Sequence, residues 1–290
     1  MNNVARSFSN AFLIVTLLLS AAVILGLHPD PGTGLVVLVL TVICLGLPHG
    51  ALDPLVAQTA FPGSRKAIFH LLYLSASASV VLAWITWPKM ALGCFLFIAA
   101  IHFGSDLGDE SRVWLRTCYG LTVITVPCIL HGRDVAIMYQ TLALQSTDDF
   151  VILSRWIGYA AGSAALIALS LRFKSEPRRV AEVFVILLSG LFLPPLLFFS
   201  CYFGLLHSPR HLIETACSLG LKTPERLFAI TAPIVVSTLC FAAIGWWLLS
   251  QYSVQQRMLL CVFVGLAALT VPHMLLEACT RSRRNWDAAV

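Results

Sequence analysis

Charge is what this chain has least of. Only 11% of its 290 residues are Asp, Glu, Lys or Arg, against roughly 25% in a typical soluble domain. Hydrophobic residues make up 58% and mean hydropathy is +0.86, so a water-facing surface could not be assembled from the remainder. The net charge of +5 is spread too thinly for a nucleic-acid-binding face. Ordered cysteine spacing is missing too. The nine cysteines contain no CxxC pair, and most sit in apolar runs where Cys packs as a small hydrophobe, so neither a disulfide framework nor a thiolate metal site is expected. There is no long linker, low-complexity tract or internal repeat, and the longest polar stretch, 132–149, is loop-sized. What remains is a single all-α domain, residues 1–290, whose partner is the lipid bilayer.

Runs of about 20 apolar residues span a hydrocarbon core. Ten such segments are expected, near 9–27, 34–56, 67–87, 90–106, 112–130, 151–171, 180–199, 200–220, 227–250 and 257–280. Pro194-Pro195 should kink the seventh. The first follows Arg6 and resembles a signal peptide, but everything after it is also apolar, so it reads as an uncleaved helix. With the N-terminus in the cytoplasm and all ten segments crossing, cytoplasmic loops and termini hold fourteen Lys and Arg, from Arg6 through the Lys222 and Arg226 loop to Arg281, Arg283 and Arg284. Four (Lys89, Arg133, Arg155 and Arg257) fall outside. This asymmetry follows the positive-inside rule, and predicts a polytopic bundle of about ten transmembrane helices with both termini cytoplasmic.

Ionisable groups within membrane helices are costly and mark function. Of eight histidines, His28 and His131 fall in loops and His70 near an interface. The other five occur in four short phrases: Pro48-His49-Gly50-Ala51-Leu52-Asp53, His102-Phe103-Gly104-Ser105-Asp106, His207-Ser208-Pro209-Arg210-His211 and Pro272-His273-Met274-Leu275-Leu276-Glu277. Each places a His four residues before another polar group, on one face of a regular helix. The phrases lie in segments two, four, eight and ten, which run in the same direction. Their histidines stop roughly 6–20 Å short of the cytoplasmic end at helical rise. Four helices thus bring imidazoles to one layer, as a metal centre inside a bundle requires.

An all-imidazole set suits Fe, Zn, Cu or Ni. Asp53, Asp106 and Glu277, each one turn from a His, read as carboxylates receiving the distal N–H groups, with direct ligation as the competing role. Pro48 and Pro272 should each free a carbonyl one turn back. If Ser208 caps a helix beginning at Pro209, His207 and His211 converge from a break rather than along one face. Arg210 then needs Glu214, an anion or the interface.

The ordered set PHGALD, HFGSD, HSPRH and a late PHM, spanning 48–277, resembles the Brp/Blh family of bacterial β-carotene 15,15′-dioxygenases. The resemblance implies a membrane-embedded non-haem Fe(II) enzyme of the bacterial inner membrane that uses O2 to split β-carotene into two all-trans-retinal molecules, with a functional link to a retinal-binding opsin. Carried over by motif, the iron-binding and catalytic histidines fall on His49, His102, His207 and His211, with His273 a fifth candidate. Phe103, Tyr202 and Phe203, beside these phrases, are candidates to wall a tunnel for the polyene. Two readings compete. A histidine-box di-iron oxygenase needs about eight His, and this chain offers one HxxxH. A transporter or proton relay using His–Asp pairs would be expected to show inverted repeats.

Overall fold

The computed structural model describes residues 3–61, 65–108, 111–172, 174–221 and 223–287, so Lys222 lies outside the described residues. Helix α1 (Asn3–Ile24) is followed by α2 (Pro31–Thr41), a π-helical turn (Val42–Gly46), α3 (Leu47–Gly50) and α4 (Asp53–Ala60). Next come α5 (Arg65–Thr86) and α6 (Pro88–Gly104), which tightens into a 3-10 turn at Ser105–Leu107. Helices α7 (Val113–Thr125), α8 (Pro127–Leu130), α9 (Gly132–Ala143) and α10 (Asp148–Ser170) make the middle of the chain. Then α11 (Pro177–Phe192), α12 (Pro195–Cys201), a second π-helical turn (Tyr202–His207) and α13 (Ser208–Ser218) precede α14 (Pro224–Leu248) and α15 (Val254–Asp287). No strand occurs among the described residues.

Proline sets much of this punctuation. Pro31, Pro88, Pro127, Pro177, Pro195 and Pro224 each occupy a first helical position, where the fixed φ suits the helix and the missing N–H would have had no partner. Two of these starts carry side-chain caps. Asp30 accepts from the Thr33 amide at 3.1 Å, and Thr223 accepts from the Arg226 amide at 3.4 Å. The Thr33 hydroxyl and amide hold the exposed Asp30 carboxyl below its ordinary value.

The protein is an all-helical, polytopic membrane protein, but the expected count of ten spans is corrected. Among the described residues, seven helical stretches are long and apolar enough to cross a membrane: Val4–Ile24, Gly32–Ala60, Ala67–Thr86, Pro88–Leu107, Asp148–Ser170, Pro224–Leu248 and Val254–Thr280. The other three expected segments are divided. Pro127 splits 112–130 into α7 and α8, and Leu193-Pro194 separates α11 from α12, breaking the seventh segment where a kink was expected. The eighth is divided between a π turn and the polar α13.

These interrupted helices form the interior of the bundle. Tyr119 and Val123 of α7, Ile186 of α11 and Phe198 of α12 are all buried, whereas α5 and α14 present Leu71, Leu82, Ile85, Phe228, Phe241 and Trp247 outward. Lipid tails are as apolar as Leu, so close packing and internal hydrogen bonds hold such helices together. Thr122, Thr125, Ser189 and Ser200 return their hydroxyls to carbonyls one turn back at 2.6–2.7 Å. Between helices, Trp84 Nε1 donates to the Leu142 carbonyl at 2.9 Å. Arg155 of α10 donates from Nε to the Cys128 carbonyl at 3.1 Å, which gives that cation a partner inside the protein rather than in a loop.

The two π turns have a common cause. Each ends beside a proline, and in each the last amide before it reaches five residues back: Leu47 N–H to the Val42 carbonyl and Ser208 N–H to the Phe203 carbonyl. The extra residue makes room for the Pro48 and Pro209 rings and lets the helical path continue. His207 and Ser208 keep right-handed helical dihedrals. The break expected at Ser208 is therefore a π turn, and Ser208 does not cap α13.

The two turns also pack on one another through a reciprocal notch. A Cβ added at Gly46 would lie 2.6 Å from Phe203 Cε1, and one at Gly204 would collide with the Thr41 side chain. Phe203 stacks on the His207 ring, with centroids 5.7 Å apart. Side chains at these glycines would push the His49 and His207 segments apart. Gly46→Ala and Gly204→Ala should each cost about 1–3 kcal/mol, the usual penalty for overpacking. A lowered melting temperature in detergent would show it; variants that melt like the parent would contradict the notch.

Candidate metal centre

All five histidines of the four phrases meet. His49 sits in α3 directly after the first π turn, His102 near the end of α6, His207 at the end of the second π turn, His211 in α13 and His273 in α15. The ring of His49 lies 5.7, 6.4 and 5.4 Å from those of His207, His211 and His273. His102 lies 4.7, 5.6 and 5.4 Å from the same three, and His207 and His211 are 4.6 Å apart. Two subsets offer ligand atoms within 4.8 Å of one another: His49, His102 and His273, and Asp106, His207 and His211. His28, His70 and His131 belong to neither.

An ionised carboxylate only accepts hydrogen bonds, so the partners below set the tautomers. His207 Nδ1 donates to Asp106 Oδ1 at 3.0 Å, and His211 Nε2 donates to the same oxygen at 3.1 Å. His273 Nδ1 donates to Asp53 Oδ1 at 2.8 Å, and His49 Nδ1 donates to the Gly46 carbonyl at 2.6 Å. For His49, His207 and His273 this leaves a bare Nε2. His102 Nε2 lies 3.1 Å from His207 Nε2. Were that contact a hydrogen bond, His102 Nδ1 would be a buried acceptor, and it has no partner among the described residues.

The carboxylates serve a different phrase from the one that carries them. Asp53, in the first phrase, holds His273 in the fourth, and Asp106, in the second, holds both histidines of the third. The one-face pairing expected for His49 with Asp53 and for His102 with Asp106 is therefore corrected. Helix α3 ends at Gly50 and Asp53 opens α4, while α6 tightens to a 3-10 turn before Asp106. Both changes rotate the carboxylate away from its own histidine. Glu277 stands farther off, its Oε1 4.0 Å from His211 Nδ1 and 3.8 Å from His273 Nε2.

This donor set fits a divalent ion. Buried imidazole nitrogens without hydrogen-bond partners are costly, and here two of them, His102 Nδ1 and His273 Nε2, belong to the cluster. Imidazoles oriented by carboxylates are also what metal-ligating histidines require.

The family profile described as Beta-carotene 15,15'-dioxygenase matches residues 40–280. The chain belongs to this family. It is 28% identical over 248 residues to the protein named Beta-carotene 15,15'-dioxygenase from an uncultured marine bacterium, 66A03, covering 81% of this chain and 90% of that one. It is 23% identical over 294 residues to the Halobacterium salinarum protein named "Probable beta-carotene 15,15'-dioxygenase Blh", covering 87% and 85%. No solved structure matches. Every residue of the cluster lies inside the matched region.

Some contacts of the cluster were not legible in the phrases. Tyr202 Oη donates to Asp106 Oδ2 at 2.5 Å, and Tyr73 of α5 donates to Asp53 Oδ2 at 2.9 Å. Arg210 does not pair with Glu214. Its Nη2 donates to both oxygens of Glu182 at 3.0 Å and its Nη1 to the Asp106 carbonyl at 3.0 Å. Glu182 also accepts from the Ser9 hydroxyl, and Arg178 donates from Nε to Ser9 at 2.9 Å. The only signal for Glu182 was an acid in the apolar run that forms α11. For Tyr73 spacing gave none.

Phe103, Tyr202 and Phe203, expected as tunnel walls, are 4%, 0% and 4% exposed. They pack around His207, with Phe103 centred 4.8 Å from its ring. A cleft of about 260 Å³ lies instead among α5, α6 and α15, walled by residues that include Ala83, Trp84, Trp87, Ala91, Ile98 and Val271. Ile98 is one turn before His102, and Val271 is two residues before His273.

Removing one member of a buried ion pair leaves the other uncompensated, at about 3–5 kcal/mol. Glu182→Ala should therefore lower the melting temperature strongly, and it should loosen the turn carrying Asp106. Thermal unfolding with parallel metal analysis checks both effects; unchanged values would show that Arg210 does not depend on this pair.

Proposed function

We propose that this chain cleaves the central 15,15′ double bond of β-carotene with O2, giving two all-trans-retinal molecules, and that Fe(II) held by His49, His102, His207 and His211 supports the reaction. The observation that carries the reading is the convergence of these imidazoles, within the region matched by the dioxygenase family. Both oxygen atoms of O2 enter the products, one in each aldehyde, so no external reductant is needed.

When bound, Fe(II) would make ground-state O2 reactive towards an alkene. The protein's own contribution is placement. Asp106 and the Gly46 carbonyl orient the His207, His211 and His49 rings. Tyr202 and the Arg210–Glu182 pair fix Asp106 in turn. The packed Phe103, Phe199 and Phe203 rings keep water from this side of the cluster. A hydrocarbon that partitions into the bilayer reaches an intramembrane site without passing through water, and the apolar cleft among α5, α6 and α15, whose walls include Ile98 and Val271, offers its arms an apolar surface.

We also read the protein as resident in the bacterial inner membrane, with both termini cytoplasmic. That needs an even number of crossings, so at least one of the three divided segments crosses beside the seven long stretches. The run of α12, the π turn and α13 from Pro195 to Ser218 is about 36 Å at helical rise, enough for the roughly 30 Å of a hydrocarbon core. A fluorescent reporter that matures only in the cytoplasm should light up at either end; a dark C-terminal fusion would favour seven crossings.

Expression in a bacterium engineered to accumulate β-carotene tests the activity. Orange pigment should disappear and retinal should appear by chromatography. His102→Ala should reduce retinal to background, and His28→Ala, remote from the cluster, should leave it unchanged. Full activity of the His102→Ala variant would overturn the assignment.

A further inference from the structure

Two arms of the same construction reach into the cluster. In one, Tyr202 donates to Asp106 Oδ2 and His207 Nδ1 to Asp106 Oδ1. In the other, Tyr73 donates to Asp53 Oδ2 at 2.9 Å and His273 Nδ1 to Asp53 Oδ1 at 2.8 Å. The first arm presents a bare Nε2 of His207 to His102. The second presents Nε2 of His273, which is buried and has no hydrogen-bond partner among the described residues.

A histidine that merely joins two helices has no reason to leave that nitrogen empty. Glu277 Oε1, at 3.8 Å, is beyond hydrogen-bond range. The His273 ring instead stands edge-on to both His49 and His102, 5.4 Å from each, and its nitrogen groups with theirs as a metal-holding set. A carboxylate clamping Nδ1, with Nε2 turned to a common centre, is the arrangement that raises ligand basicity and fixes ring orientation.

We propose that His273 is a ligand of the same metal as His49 and His102, with Asp53 and Tyr73 as positioning residues that hold its Nε2 towards that metal. The proposal rests on the reading of this cluster as a metal centre. It makes α5 and α15 structural partners of the site.

Cobalt(II) titration of the purified full-length protein in detergent separates the two levels. The parent should bind one Co(II), and His273→Ala should weaken binding at least tenfold, the lower end of the roughly 10–100-fold loss seen when even a ligand's supporting group is removed. The visible ligand-field bands should change in the direction of lower coordination number and return when free imidazole fills the gap, an effect that a structural histidine would not give. Asp53→Asn should perturb the same bands with His273 intact, and Tyr73→Phe should do so more weakly. Parent-like affinity and spectra in both His273→Ala and Asp53→Asn would overturn the His273 assignment and leave the other histidines standing. Failure of the parent to bind Co(II) or Fe(II) would overturn the metal reading and the proposal with it.

Discussion

A polar group in a hydrocarbon layer must find its partner within the protein, and most of this fold can be read as meeting that demand for five imidazoles. Each ring with a carboxylate or carbonyl on one nitrogen is fixed in tautomer and direction, and for His49, His207 and His273 this leaves Nε2 bare. Asp106 does this for His207 and His211 together, Asp53 does it for His273, and the Gly46 carbonyl does it for His49. The carboxylates need support of their own, and Tyr202, Tyr73 and the Arg210–Glu182 pair give it from other helices. The network extends as far as Ser9 and Arg178, so a deep site is tied to the first helix.

Backbone irregularity serves the same end. A straight helix through Pro48 or Pro209 would clash with the preceding turn. The π turns absorb both prolines and rotate His49 and His207 onto a common side. Gly46 and Gly204 then let the turns touch, which is why the two histidines can be near neighbours although 158 positions separate them in the chain. Such turns are frequent at functional sites, and here the reason is geometric.

The histidine phrases made the centre legible, because five imidazoles in apolar helices are too costly to bury without a shared binding role. Membrane embedding was equally plain from the shortage of charge. What spacing could not give was the exchange of carboxylates between phrases. That pairing depends on where α3 and α6 stop being α-helical, a matter of one or two residues around Gly50 and Gly104. Tyr73 was invisible because its role comes only from the packing of α5 beside α4, which Asp53 opens. The count of ten spans overran because hydropathy sees apolar content and not the breaks at Pro127 and Leu193-Pro194. For Arg210 the sequence left Glu214, an anion or the interface open, whereas Glu182 meets it from another helix.

The central claim is a single metal ion held by imidazoles within the membrane. X-ray absorption at the iron edge of the purified protein tests it most directly. One iron per chain in a shell dominated by imidazole nitrogen, with no metal neighbour, is the expected result. A second iron at roughly 3.5–4 Å, the spacing of two-metal sites, or a shell without imidazole would contradict it.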